Sequence, residues 1–146
     1  IGDLLPPGCL LMDVGSTKQA ICRAMEALPE HVQPIGGHPM CGKEKSGIRM
    51  AEPDLYQDQV FALVPLERTS EGALGLAKSL TTAIGARSLV LQPERHDAIV
   101  AAISHLPYMA AVALVRAAEG LGDGEPLLWE LAASGFRDTR PRVVSP

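Results

Sequence analysis

Between residues 9 and 91, short apolar runs alternate with stretches in which apolar residues recur at helical spacing, and this alternation limits the chain to one class of fold. Residues 9–14 form a short apolar run ended by Gly15, the pattern of a strand buried on both faces in a parallel sheet. Ser16 is placed to open a helix, in which Ala20, Ile21, Ala24, Met25 and Leu28 recur at helical spacing as far as Pro29. Residues 31–35 read as the next short strand. Residues 59–64 then predict a strand, 70–84 a capped amphipathic helix with Gly85 as its terminator, and 87–91 a further strand. Such an order implies an α/β protein with a doubly wound sheet. Ligands of these sheets gather beyond the carboxyl ends of the strands, where residues 13–16 and 36–40 both fall.

The pattern changes at Pro93, a residue suited to begin a helix. Residues 94–119 are rich in Ala, Val, Ile and Leu, and a helix apolar on most of its faces must be covered by other helices of this chain or of a partner. Residues 98–115 are apolar enough to raise the question of a membrane span, but Ser104, His105 and Pro107 in their middle point to a buried helix. Pro107 removes the amide that would bond the carbonyl of Ile103, which predicts a kink beside His105. Residues 126–134 read as a short helix, followed by a polar tail from Gly135. Two parts are therefore expected, 1–92 and 93–146.

With 47% hydrophobic side chains in 146 residues, the chain can bury a real core. A net charge of -4 without any basic run argues against nucleic acid as a partner. Cys9, Cys22 and Cys41 fit neither metal-binding spacing nor a disulfide framework, so reduced thiols in a cytoplasmic protein, and no structural metal, are expected. The start Ile1-Gly2-Asp3 has no basic n-region and no Met, which reads as a trimmed start rather than a signal peptide.

The chemistry concentrates in Gly37-His38-Pro39-Met40-Cys41-Gly42-Lys43-Glu44-Lys45-Ser46-Gly47, which sets an imidazole and a charge cluster on a glycine-punctuated loop after a short strand. Pro39 restricts His38 to extended conformations, and the glycines around it let the backbone fold tightly round a ligand. His38 can accept a proton at neutral pH, although a lone histidine is often structural. Ser16 has two readings, a helix cap or a hydroxyl aimed at a ligand from the strand's carboxyl edge. Lys43, Glu44 and Lys45 can equally be a solvated loop, and His105 a satisfied core histidine.

Taken with Asp13-Val14-Gly15-Ser16-Thr17-Lys18 and Ile103-Ser104-His105-Leu106-Pro107, this loop resembles the signature of the prephenate/arogenate dehydrogenases, over nearly the whole chain. The resemblance implies the later part of a Rossmann-like doubly wound sheet followed by an all-helical substrate and dimerisation domain. Enzymes of that family open with a Gly-x-Gly-x-x-Gly turn between a strand and a helix. The glycines at 120, 122 and 124 follow a helix pattern instead, so the chain looks like the later part of a larger enzyme. The implied reaction is NAD- or NADP-dependent oxidative decarboxylation of prephenate to 4-hydroxyphenylpyruvate, in tyrosine biosynthesis, by a homodimer. Arogenate as substrate, a non-catalytic remnant or dimerisation module, and a different hydroxy-acid dehydrogenase are the alternatives.

By the same resemblance, His38 is the catalytic base and Ser16 orients the substrate hydroxyl and the nicotinamide, to which Gly15 permits close approach. His105 faces the substrate, and Glu44 has a supporting or gating role. Gly135-Phe136-Arg137-Asp138-Thr139 resembles the segment that holds the substrate carboxylates, which assigns Arg137 to them. The family's second arginine falls on Pro141 in ungapped register, so Arg140 or Arg142 replaces it, and Arg140 is taken here. Paired donors on a planar guanidinium suit a carboxylate.

Overall fold

A computed structural model describes residues 2–42, 47–122, 125 and 127–137. Its elements run β1 (Leu10–Met12), α1 (Gln19–Glu26), β2 (Gln33–Pro39), β3 (Val60–Pro65), α2 (Glu71–Ala83), β4 (Arg87–Val90), α3 (Pro93–Val100), a π-helical turn (Ala101–His105), α4 (Leu106–Leu121) and α5 (Ser134–Arg137). Two compact units divide the chain, Ile1–Ala98 and Ile99–Pro146.

The first unit is the expected α/β sheet, with strands in the order β1-β2-β3-β4. β1 pairs with β2 and β3 with β4 in parallel, while β2 and β3 are antiparallel, so the sheet is mixed. Side-chain alternation sends neighbouring residues to opposite faces. Ile35, Phe61 and Leu63 pack with Ala77 of α2 on one face, and Leu10 and Met12 lean on that cluster. Val64 packs with Cys22 and Met25 of α1 on the other, with Leu11 against it. Ile35 and Leu63 are fully buried, each worth about 1.5–3 kcal/mol against exposure. The end of α1 is tied down by Arg68, whose guanidinium donates to the carbonyls of Leu28, Pro29 and Val32 at 2.6–2.9 Å.

Local sequence explains α2 fully. The Ser70 hydroxyl accepts from the amide of Ala73 as the N-cap, and Gly85 leaves the helix at φ +78°. The helix expected to open at Ser16 begins instead at Gln19, and its N-cap position, Lys18, makes no side-chain cap bond. A carboxylate distant in sequence takes that part: Asp97 accepts from the amides of Lys18 and Gln19 at 2.7 and 2.9 Å. β2 is longer than its apolar stretch suggests and carries His38 within the strand, opposite Ala62, rather than on a loop.

In the second unit the disturbance expected from Pro107 takes the form of the π turn Ala101–His105, immediately before α4. A widened turn relieves the missing proline amide and its clash with the preceding turn. Ile103, Leu106 and Met109 are exposed in this chain. Trp129 stacks at a tilt on Phe136 with ring centroids 5.7 Å apart.

Candidate active site

At the carboxyl edge of the sheet, Asp13 locks the loop after β1 to the carboxyl end of β2. Its Oδ1 accepts from the Gly37 amide at 3.1 Å and its Oδ2 from the Gly15 amide at 2.8 Å. Lys18, fully buried, reaches the same carboxylate at 2.6 Å and donates to the Gly37 carbonyl at 2.6 Å. Among the described residues no buried side-chain nitrogen or oxygen lacks a hydrogen-bond partner, as burial demands. Gly37 itself cannot be anything larger, because a Cβ there would stand 2.6 Å from the Asp13 carbonyl oxygen. The result is that residues 13–17 and the His38 end of β2 hold one fixed arrangement, with Val14, Gly15, Ser16 and Thr17 exposed beside it.

His38, half-buried, follows directly. Its Nδ1 lies 2.9 Å from Nε2 of His96, a buried residue of α3, and the rings meet edge to face at 60°. His96 Nδ1 lies 2.8 Å from Asp97 Oδ1. Burial, reinforced by the neighbouring His96 and the Lys18 charge, holds the pKa of His38 below the ordinary histidine value, against the smaller opposite pull of Asp13 and Asp97. A neutral, proton-accepting ring is therefore the state at neutral pH. Burial alone would raise Asp97, but the amide of Gln19, the His96 ring and the amide of Lys18 outweigh it and hold the carboxyl below its ordinary range.

Of the residues singled out from the sequence, Gly15, Ser16 and His38 come together in the first unit through the Asp13 lock. His105 ends the π turn of the second unit, where it is exposed, and Arg137 closes α5. Glu44 and Arg140 lie outside the described residues. His96 and Asp97 were not singled out, because they follow Glu94 and Arg95 in a polar first turn that reads as solvated. Buried Lys18 could have been suspected from its place in the strand-to-helix loop.

Residues 3–90 match the family profile described as "Prephenate dehydrogenase, nucleotide-binding domain", and residues 92–146 the one described as "Prephenate dehydrogenase, dimerization domain". The chain belongs to the prephenate dehydrogenase family. Among relatives of this family, the prephenate dehydrogenase of Bacillus subtilis is 38% identical over 139 residues, which is 94% of this chain and 38% of that protein. The crystal structure of Synechocystis arogenate dehydrogenase superposes with a TM-score of 0.81 at 36% identity, over 99% of this chain and 52% of that one. That of the Aquifex aeolicus prephenate dehydrogenase in complex with hydroxyphenyl propionate and NAD+ gives 0.79 at 31% identity, over 88% of this chain and 44% of that one. The chain thus spans about half or less of the length of these family members.

Prephenate dehydrogenases are oxidoreductases, and the fold expected of them, an α/β sheet followed by helices, is the fold found. The helix Pro93–Gly120 is long and apolar enough, by length and composition, to cross a membrane. The family profile that covers it describes a dimerization domain instead.

Proposed function

We propose that this chain supplies the base and part of the substrate site of an NAD- or NADP-dependent dehydrogenase that converts prephenate to 4-hydroxyphenylpyruvate. The observation that carries the reading is His38, a neutral imidazole set beside the exposed Gly15 and Ser16, with its Nδ1 side occupied by His96 and its Nε2 side left for a substrate. A carbinol proton needs such an acceptor within hydrogen-bond reach. The fit of the cofactor rests on Gly15: a Cβ built there meets only the Asp13 carboxylate, so the exposed turn offers a flat ring a close approach. The nicotinamide, when bound, supplies the hydride acceptor.

In the reaction the bond to the ring carboxylate breaks, carbon dioxide leaves, and the electron pair enters the ring as hydride departs from the carbinol carbon. His38 withdraws the hydroxyl proton as charge builds on that oxygen and returns it to the phenolate. Ser16 orients the hydroxyl, and His105, Arg137 and Arg140 hold the substrate and its carboxylates, with Glu44 in support. The division of labour follows residues 1–92 and 93–146, and the helical part joins two copies into a homodimer, as the dimerization profile on residues 92–146 suggests. Reduced thiols and soluble metabolites suit the cytoplasm. Arogenate is the second reading, favoured by the superposition on an arogenate dehydrogenase.

The test is turnover by the protein expressed from the complete reading frame that contains this chain, with prephenate or arogenate and NAD+ or NADP+. Carbon dioxide release with stoichiometric reduced cofactor is expected from at least one combination. His38→Asn should lower kcat by about 100-fold or more while substrate binding stays largely intact. No turnover in any combination, or an unchanged kcat in the variant, overturns the reading.

A further inference from the structure

Behind His38 stands a chain of two further side chains that the reaction as written does not use. We propose that His96 and Asp97 are positioning residues for His38, which fix its tautomer so that the ring presents a lone pair at Nε2 to the substrate; this inference rests on the proposed function above. A carboxylate only accepts hydrogen bonds, so the contact at 2.8 Å requires the proton of His96 to sit on Nδ1. The His96 tautomer with its proton on Nδ1 has its lone pair on Nε2. The contact at 2.9 Å therefore requires His38 to carry its proton on Nδ1, and the base lone pair falls on Nε2. Each tautomer dictates the next.

The far end of this chain is itself fixed. Asp97 is held by the amides of Lys18 and Gln19 at the start of α1, where donors and the helix dipole both favour negative charge. His96 is only 1% exposed, so water cannot replace either of its partners. Once His38 accepts a proton, its imidazolium keeps an acceptor at Nδ1, and the Asp97 charge lies one ring away. The groups facing His38 are His96 and Asp97 from α3 and Asp13 and Lys18 from the loop before α1; the two carboxylates favour the imidazolium and the other two oppose it. The helix-capping duty of Asp97 does not need His96, whose side-chain hydrogen bonds among the described residues run along the line from Asp97 to His38.

The experiment uses the complete enzyme, with His38→Asn as reference. If that variant turns over normally, the base assignment fails and the positioning role with it. If it is impaired, His96→Leu and Asp97→Asn are compared with it, and both are expected to lower kcat by about 10²–10⁴-fold, the range seen when an orienting group sets the wrong tautomer, with KM changed by less than about 3-fold. His96→Gln keeps an acceptor for His38 Nδ1 and should recover at least about 10-fold of the loss. Equal, small losses in all three, with His38→Asn inactive, overturn the positioning role alone. Should a variant fail to fold, the nitrogen resonances of His38 in the wild-type enzyme at neutral pH still decide. A proton on Nδ1 and a bare Nε2 are expected, and the reverse tautomer refutes the inference.

Discussion

Replacing Lys18 by Met removes the ammonium group from the buried lock between the loop after β1 and the end of β2, while leaving most of the stem volume in place. Loss of one partner from a buried ion pair typically costs about 3–5 kcal/mol, because the other charge is stranded. Here Asp13 is not wholly stranded. It keeps the Gly15 and Gly37 amides and is 14% exposed, so the low end, about 3 kcal/mol, applies. The Gly37 carbonyl also loses its Lys18 donor, which adds about 1 kcal/mol. With a urea dependence of about 1–3 kcal/mol per molar, the midpoint should fall by at least about 1 M. Far-UV ellipticity is the appropriate probe, because the single tryptophan, Trp129, belongs to the helical unit. Adding Asp13→Asn to Lys18→Met discharges the stranded carboxylate and should return about 1 kcal/mol or more. A Lys18→Met protein within about 0.5 kcal/mol of wild type would refute the view that this pair holds the site together.

Gly37→Ala should cost about 1–3 kcal/mol, read as a lowered melting temperature, since its Cβ would meet the Asp13 carbonyl at 2.6 Å and the Phe61 ring at 3.0 Å. An unchanged melting temperature would mean that the two strands separate more easily than their packing implies. The acid limb of kcat/KM should lie below the ordinary histidine value: His38 is active as the neutral form, and its lowered pKa keeps that form populated to lower pH, so the rate falls only as pH drops through the folded value. A limb above 6.5 contradicts the burial of the base. Cys22, whose thiol is pushed up to about 11 by burial and by the nearby Asp13 charge, should resist alkylation at neutral pH in the folded protein. Labelling as fast as in denaturant would refute that environment.

Most of the first unit was legible because its signals are local. Ser70 and Gly85 bracket α2, and the apolar runs at β1, β3 and β4 stand close to where periodicity puts them. What escaped is non-local. Gly36, Gly37 and Pro39 have poor strand propensity, yet pairing with Val64, Leu63 and Phe61 carries β2 through them. Ser16 could be read as a cap, but α1 opens later, and Asp97, 79 residues beyond Lys18, accepts from the Lys18 amide. Distance in sequence also hid the contact of His96 with His38, 58 residues before it, because that spacing forms no motif. On the helix, the proline was a sound signal of disturbance, but a widened turn and a simple kink leave the same trace in a sequence.

The position of His38 inside a strand has one more consequence. Its backbone is held in register opposite Ala62 of β3, and its ring contacts His96. A base carried on a mobile loop would have to lose conformational entropy each time a substrate arrived, at about 1–2 kcal/mol per residue ordered. For His38 as the proposed base, that ordering is complete when the sheet forms, so the binding energy of the substrate remains available for the reacting bonds.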